Sequence, residues 1–159
     1  MGNRGRTEAG DVQVMSAGSG VTHAEYNLED EATTIYQIWI LPKERGGRPF
    51  WGAAKFPKGD RAGALVTLAS GFVTDQEAGA LPIRQDARVL AATLKQGQSV
   101  AYRLAPGRHA YLALAKGEAR VNGVVLGPRD GAAIRDESDL RIEAGADAEL
   151  VLVDAPEWQ

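Results

Sequence analysis

The chain has 159 residues, enough for one well-packed domain but tight for two complete domains of medium size. Its 18 basic and 21 acidic residues nearly balance to a net charge of −3, and no basic cluster stands out, so electrostatically driven nucleic-acid binding is not indicated. Cysteine is absent, which excludes disulfides, thiolate metal sites and cysteine nucleophiles.

The apolar runs have the length of strands. The longest, such as residues 65–69 and 150–153, are far too short to cross a bilayer. The first residues contain no apolar segment of the kind found in a secretory signal. We therefore expect a soluble cytoplasmic protein with no membrane partner.

The first two predicted strands, residues 11–15 and 21–26, flank a Gly/Ser-rich turn. Side chains at positions i and i+2 of a strand share a face, so His23 and Glu25 are predicted to point the same way. An imidazole and a carboxylate that converge can both bind a divalent metal ion. Such pairs also arise by chance, so spacing alone leaves a solvated, non-functional pair as the open alternative.

The next predicted strand covers residues 33–41, which are rich in β-branched and aromatic side chains on both faces. A strand of this kind is expected to be covered on both sides. Proline, paired glycines and mixed charges between residues 42 and 49 then predict a break in the chain. We place a linker at residues 43–55.

From residue 56 onward, short β-patterned runs alternate with turn residues. Asn122 and Gly123 form a predicted type I′ hairpin turn, because both central positions must accept positive φ. Residues 87–94 are alanine-rich and ambiguous between strand and helix. Many short strands at close spacing predict an all-β sandwich or small barrel. The predicted strands are residues 64–69, 87–94, 99–104, 110–115, 119–121, 124–126, 132–135, 140–143 and 149–154.

The glycine-rich N-terminal region resembles a motif of the cupin superfamily, Gly-x5-Pro-x-Gly-x2-His-x3-Asn. The matching residues are Gly10, Ser16 in place of proline, Gly18, His23 after two extra residues, and Asn27. Two segments are more specifically similar to the pirin family: residues 15–27, MSAGSGVTHAEYN, and residues 36–42, YQIWILP. The chain thus resembles a pirin-like protein over residues 3–156.

The resemblance implies an all-β cupin fold, a double-stranded β-helix or jelly-roll-like barrel. Residues 1–42 would be the C-terminal remnant of an N-terminal cupin barrel, and residues 56–159 a complete C-terminal cupin domain. In the family, a first motif with two further metal-binding histidines lies upstream of the position of Gly10. We therefore expect this sequence to be a fragment or a truncated member.

The resemblance also implies a metal-dependent dioxygenase of the quercetin 2,3-dioxygenase type. His23 and Glu25 match two of the four family ligands, three His and one Glu, and Glu25 is the candidate for taking the substrate proton. The ion would be Fe, Ni, Cu, Mn or Zn, and the substrate a flavonol-like small molecule. Two protein ligands leave an ion mostly hydrated, so we expect bound metal to be weak or absent in this chain and the chain to be inactive by itself.

A second hypothesis treats the chain as a non-catalytic module. Another branch of the pirin family is known as a nuclear transcription cofactor that binds protein partners, which implies an interaction or regulatory role. Whether this chain is an enzyme therefore stays open. Exposed strand edges and apolar faces would also favour a homodimer or a strand swap through residues 11–41.

Residues 106–156 are similar to a degenerate cupin in which the ligand positions are not retained. His109 is the only histidine there, and Tyr111 and Ala113, at matching parity, are not ligands that a borderline divalent ion prefers. A lone histidine on a sheet is typically a hydrogen-bonded structural residue. We therefore predict a metal-free second barrel.

Overall fold

The computed structural model describes residue 2 and residues 4–157, and within this part strands predominate. A five-residue helix, α1 (Val73–Glu77), and a 3-10 turn, Lys58–Arg61, interrupt them. The strands in chain order are β1 (Asp11–Ser16), β2 (Phe50–Lys55), β3 (Val66–Ser70), β4 (Leu81–Pro82), β5 (Arg88–Leu94), β6 (Ser99–Arg103), β7 (Arg108–Lys116), β8 (Ala119–Val121), β9 (Val124–Leu126), β10 (Gly131–Ile134), β11 (Asp139–Ala144) and β12 (Ala148–Pro156).

Two sheets enclose the main hydrophobic core and together form the main barrel. One has the strand order β10-β7-β12-β5-β3-β4 and the other β6-β11-β8-β9. Because side chains alternate along a strand, every second residue of the central strand β12 enters the core: Ala148, Leu150 and Leu152 are buried there. The next residue of β12 on the same face is Asp154, which is also buried.

A smaller hydrophobic cluster lies on the outer face of the six-stranded sheet. Strands β1 and β2 pair antiparallel, and the face of β1 that carries Val12 and Val14 packs against Ala69, Leu81 and Val89. The hairpin-like pair thereby covers β3, β4 and β5 from outside. Its opposite face, which includes Gln13, points away from this cluster by the same alternation.

The strands predicted beyond residue 56 are confirmed, with small shifts at their ends. Residues 88–94 are a strand because β5 pairs with β3 on one side and with β12 on the other. The backbone φ angles of Asn122 and Gly123 are 44° and 91°, as a type I′ turn between β8 and β9 requires. Helix α1 and the short parallel strand β4 were not predicted.

The predicted strands at residues 21–26 and 33–41 are wrong. Neither segment takes part in a sheet, and most of their large apolar side chains are exposed, with Trp39 at 88%. Ile40 is partly buried against the outer cluster. A strand forms only where a neighbour satisfies its backbone hydrogen bonds, and no described strand pairs with these residues.

The predicted linker, residues 43–55, is interrupted by structure: its last six residues form β2. Residues 43–48 form hydrogen bonds and an ion pair with the main barrel. Arg84 donates to the carbonyl oxygens of Gly46 and Arg48, and Lys43 pairs with Asp86 at 3.0 Å. The division into two cupin units stays a prediction.

Among the residues described, none of the helices has the length and apolar character needed to cross a membrane.

Candidate functional site

His23 and Glu25 lie on an exposed, unpaired stretch of chain between β1 and β2. Since residues 21–26 are not a strand, the alternation rule no longer argues that the two side chains share a face. Their residue types still suit a divalent ion, because imidazole and carboxylate are both ligands for borderline metals. The metal assignment of the pair therefore remains a prediction from the motif.

Glu25 is held by a hydrogen-bonded chain that the sequence did not reveal. The Gln13 side-chain amide donates from Nε2 to Glu25 Oε1. Gln13 Oε1 in turn accepts a hydrogen bond from Trp51 Nε1 at 3.3 Å. The carboxylate is thus tied to two residues of the β1–β2 pair.

The register of β1 against β2 explains why Trp51 and Gln13 can form a hydrogen bond. Gln13 stands opposite Ala53, and Met15 stands opposite Trp51. Gln13 and Trp51 are therefore diagonal neighbours on one face, a separation that a long side chain can bridge. A glutamine amid the apolar residues of β1 was the only sign in the sequence, and it does not by itself reveal a partner.

The donor set fits a divalent ion in kind but falls short in number. Over residues 2 and 4–157, no group of three or more His, Asp or Glu side chains is placed to bind a metal ion together. Oε1 of Glu25 is occupied by the Gln13 amide, whereas Oε2 has no donor within the described part of the chain. That oxygen and the His23 imidazole are the groups available to a metal.

A second polar site lies at one end of the main barrel. Asp154, whose side chain is only 2% exposed, accepts hydrogen bonds from Tyr102 Oη and Arg108 Nε, both at 2.6 Å. Burial, together with the Asp154 carboxylate, raises the pKa of Tyr102, so its hydroxyl stays protonated and can donate. Arg108 also donates to the backbone oxygen of Asp86 at 2.7 Å.

Helix α1 lies beside this site, because Arg88 contacts both Asp75 of the helix and Asp154. Asp75 accepts from Ser70 Oγ at 2.6 Å and from Arg88 Nε at 2.7 Å. The Ser70 hydrogen bond, and then Arg88, hold the pKa of Asp75 below its usual value against the opposing effect of burial. The Arg88 guanidinium lies 4.1 Å from the centre of the Phe72 ring. Two carboxylates thus neutralise two arginines, so the charges within the cluster balance.

His109 departs from its predicted role as a hydrogen-bonded structural histidine. Its Nδ1 is buried and has no hydrogen-bond partner within the described residues. Its Nε2 lies 3.8 Å from Glu157 Oε1. The ring borders an open groove of about 190 Å³ between β7, β10 and β12.

Family models match both parts of the chain. The model described as the quercetinase C-terminal cupin domain matches residues 68–155, and the model described as pirin matches residues 1–40. The first covers more than half of the sequence. The chain belongs to the pirin family. Its two sheets form the cupin fold that the motif predicted.

Curated pirin-family proteins align with almost the whole chain. A pirin-like protein from Caulobacter vibrioides is 64% identical over 155 residues, covering 98% of this chain and 66% of the relative. A quercetin 2,3-dioxygenase from Escherichia coli strain K12 is 37% identical over 158 residues, covering 98% of this chain and 65% of the relative. This pirin-family chain spans just under two thirds of the length of these relatives.

A solved structure of the family agrees with the fold. The bacterial pirin YhhW from Escherichia coli, crystallised in complex with nickel(II), superposes with a TM-score of 0.86 at 31% identity. The match covers 99% of this pirin-family chain and 66% of the other.

Proposed function

We propose that this chain supplies His23 and Glu25 to the metal site of a quercetin 2,3-dioxygenase-type enzyme that acts on a flavonol-like substrate. The motif around the two residues, in a chain of the pirin family, is the observation that carries the proposal. The Escherichia coli relative described as a quercetin 2,3-dioxygenase supports the reaction class.

The two residues have distinct roles in this proposal. A bound Fe, Ni, Cu, Mn or Zn ion would polarise a hydroxyl or carbonyl oxygen of the flavonol and lower the pKa of its proton. His23 would hold the ion through a ring nitrogen. Glu25 would hold it through a carboxylate oxygen and would take the substrate proton. With two protein ligands most coordination positions are left to water, so binding to this chain alone is weak.

Nickel(II) titration tests the proposal. Isothermal titration calorimetry should detect weak binding of one ion, and His23→Ala or Glu25→Ala should each raise the Kd at least about tenfold, or roughly 1.4 kcal/mol. The chain has only two histidines, so His109→Ala is the matched control and should bind nickel like the wild type. Unchanged binding in both site variants, or no binding to the wild type, would contradict the proposal.

The exposed apolar segment at residues 26–41 favours a second candidate function, a non-catalytic interaction module. Several large side chains there face solvent, and the backbone lies outside all three sheets. Such an apolar surface is typical of a contact site. We propose that it binds a second copy of the chain. The side chains are Tyr26, Leu28, Ile35, Tyr36, Ile38, Trp39 and Leu41.

Analytical ultracentrifugation over a concentration series tests this candidate. The wild type should form a dimer as the concentration rises, whereas Ile35→Ser/Trp39→Ser should remain monomeric because the apolar contact is lost. Val125→Ser is a matched control, since Val125 is half exposed but lies on β9. A wild type that stays monomeric throughout the series would refute self-association.

A further inference from the structure

The side-chain amide of Gln13 has only one orientation that suits both of its neighbours. The Trp51 indole nitrogen can only donate a hydrogen bond, so it must face the amide oxygen. An ionised Glu25 carboxylate can only accept, so it must face the amide nitrogen. The two contacts are therefore mutually consistent, and a flipped amide would lose both.

The two ends of this hydrogen-bonded chain differ in how well they are anchored. Gln13 and Trp51 belong to paired strands, and the other face of β1 is packed against the barrel. Glu25 belongs to a segment with no strand partner in the described chain. The paired strands can therefore restrain the direction of the carboxylate through Gln13.

We infer that Gln13 is a positioning residue for the Glu25 carboxylate, and that Trp51 orients the Gln13 amide. The inference rests on the proposed metal-binding function of His23 and Glu25. Gln13 does not contact the ion in this assignment. It holds Oε1 of Glu25 and leaves Oε2 for a divalent cation, so removing it should weaken metal binding by loosening a ligand.

Gln13→Met tests the inference, because methionine has a similar length but cannot donate a hydrogen bond. Outer partners of metal ligands typically contribute ten- to a hundredfold in affinity, so we expect the nickel Kd to rise about tenfold or more. Trp51→Phe, which keeps an aromatic ring but removes the N–H, should have a smaller effect in the same direction. Gln96→Met, in the exposed β5–β6 turn, is the matched control and should leave the Kd unchanged.

A second readout separates positioning from a general structural role. Cobalt(II) at saturating concentration should give a visible absorption spectrum that differs between the wild type and Gln13→Met, because the carboxylate direction has changed. The Gln96→Met spectrum should superimpose on that of the wild type. If the spectra of the wild type and Gln13→Met coincide, the inference is wrong. This holds even if thermal melting shows that Gln13→Met is less stable than the wild type.

Two sets of variants separate the positioning role of Gln13 from the metal site itself. If His23→Ala and Glu25→Ala lose nickel but Gln13→Met and Trp51→Phe bind it like the wild type, the positioning role is wrong and the metal site stands. If His23→Ala and Glu25→Ala bind like the wild type, the metal site itself is wrong, and the positioning role fails with it.

Discussion

Asp154→Ala should lower the free energy of unfolding by about 3–5 kcal/mol, because it leaves the Arg108 charge, whose side chain is only 12% exposed, without its carboxylate partner. The carboxylate accepts from both Arg108 and Tyr102 within the barrel end, where water has little access to replace it. Urea denaturation followed by circular dichroism measures the change. The main expected effect is a lower midpoint with an unchanged dependence on urea concentration.

Two further variants assign the cause. Asp86→Ala removes a carboxylate from a half-exposed ion pair at the same end of the barrel, and should cost no more than about 1 kcal/mol. Arg108→Met combined with Asp154→Leu should be less destabilised than the sum of the two single variants, because no unpaired charge remains. A loss below about 1 kcal/mol for Asp154→Ala would contradict the argument from buried charge.

Gly117→Ala should destabilise the fold by about 2–5 kcal/mol, through two separate costs. The backbone at Gly117 has a φ of 85°, a left-handed conformation that costs an L-residue about 1–2 kcal/mol. A methyl group there would also lie 2.0 Å from the carbonyl oxygen of Asp147, and relieving such an overlap typically costs about 1–3 kcal/mol. The same urea titration measures the sum.

Two glycines separate these costs. Gly123 has a φ of 91° and no heavy atom within 4 Å of an added Cβ, so Gly123→Ala reports the backbone cost alone. An added Cβ at Gly71 meets the Gln85 carbonyl oxygen at 1.8 Å without a positive φ, so Gly71→Ala reports the overlap alone. If Gly117→Ala costs no more than Gly123→Ala, the chain around Asp147 relaxes freely and the steric half of the argument is wrong.

The main barrel was predictable because its signals are local. Alternation of apolar residues and turn chemistry, as at Asn122 and Gly123, each depend on a few adjacent positions. The strands that result also find neighbours, since β5, β7 and β12 lie side by side. Local preference and long-range pairing agree there, and the predicted strands were confirmed.

The same local signal misled at residues 21–26 and 33–41. Their β-branched and aromatic content indicates strand, but a strand is completed by pairing with another strand, and no strand of the described chain pairs with them. The assignment of His23 and Glu25 as a facing pair depended on that strand. The motif still identifies the two residues, but the sequence no longer predicts the relative direction of their side chains.

The amino-acid sequence alone determined the family, the cupin fold and the identity of the candidate ligands, because motifs and periodicity are properties of neighbouring residues. Only the tertiary structure decided that Gln13 and Trp51 support Glu25, since a diagonal contact depends on the register of β1 against β2, two strands separated by more than thirty residues. It likewise decided that Asp154, Arg108 and Tyr102 meet at one end of the barrel. Strand register and sheet closure are long-range properties, and no short stretch of sequence specifies them.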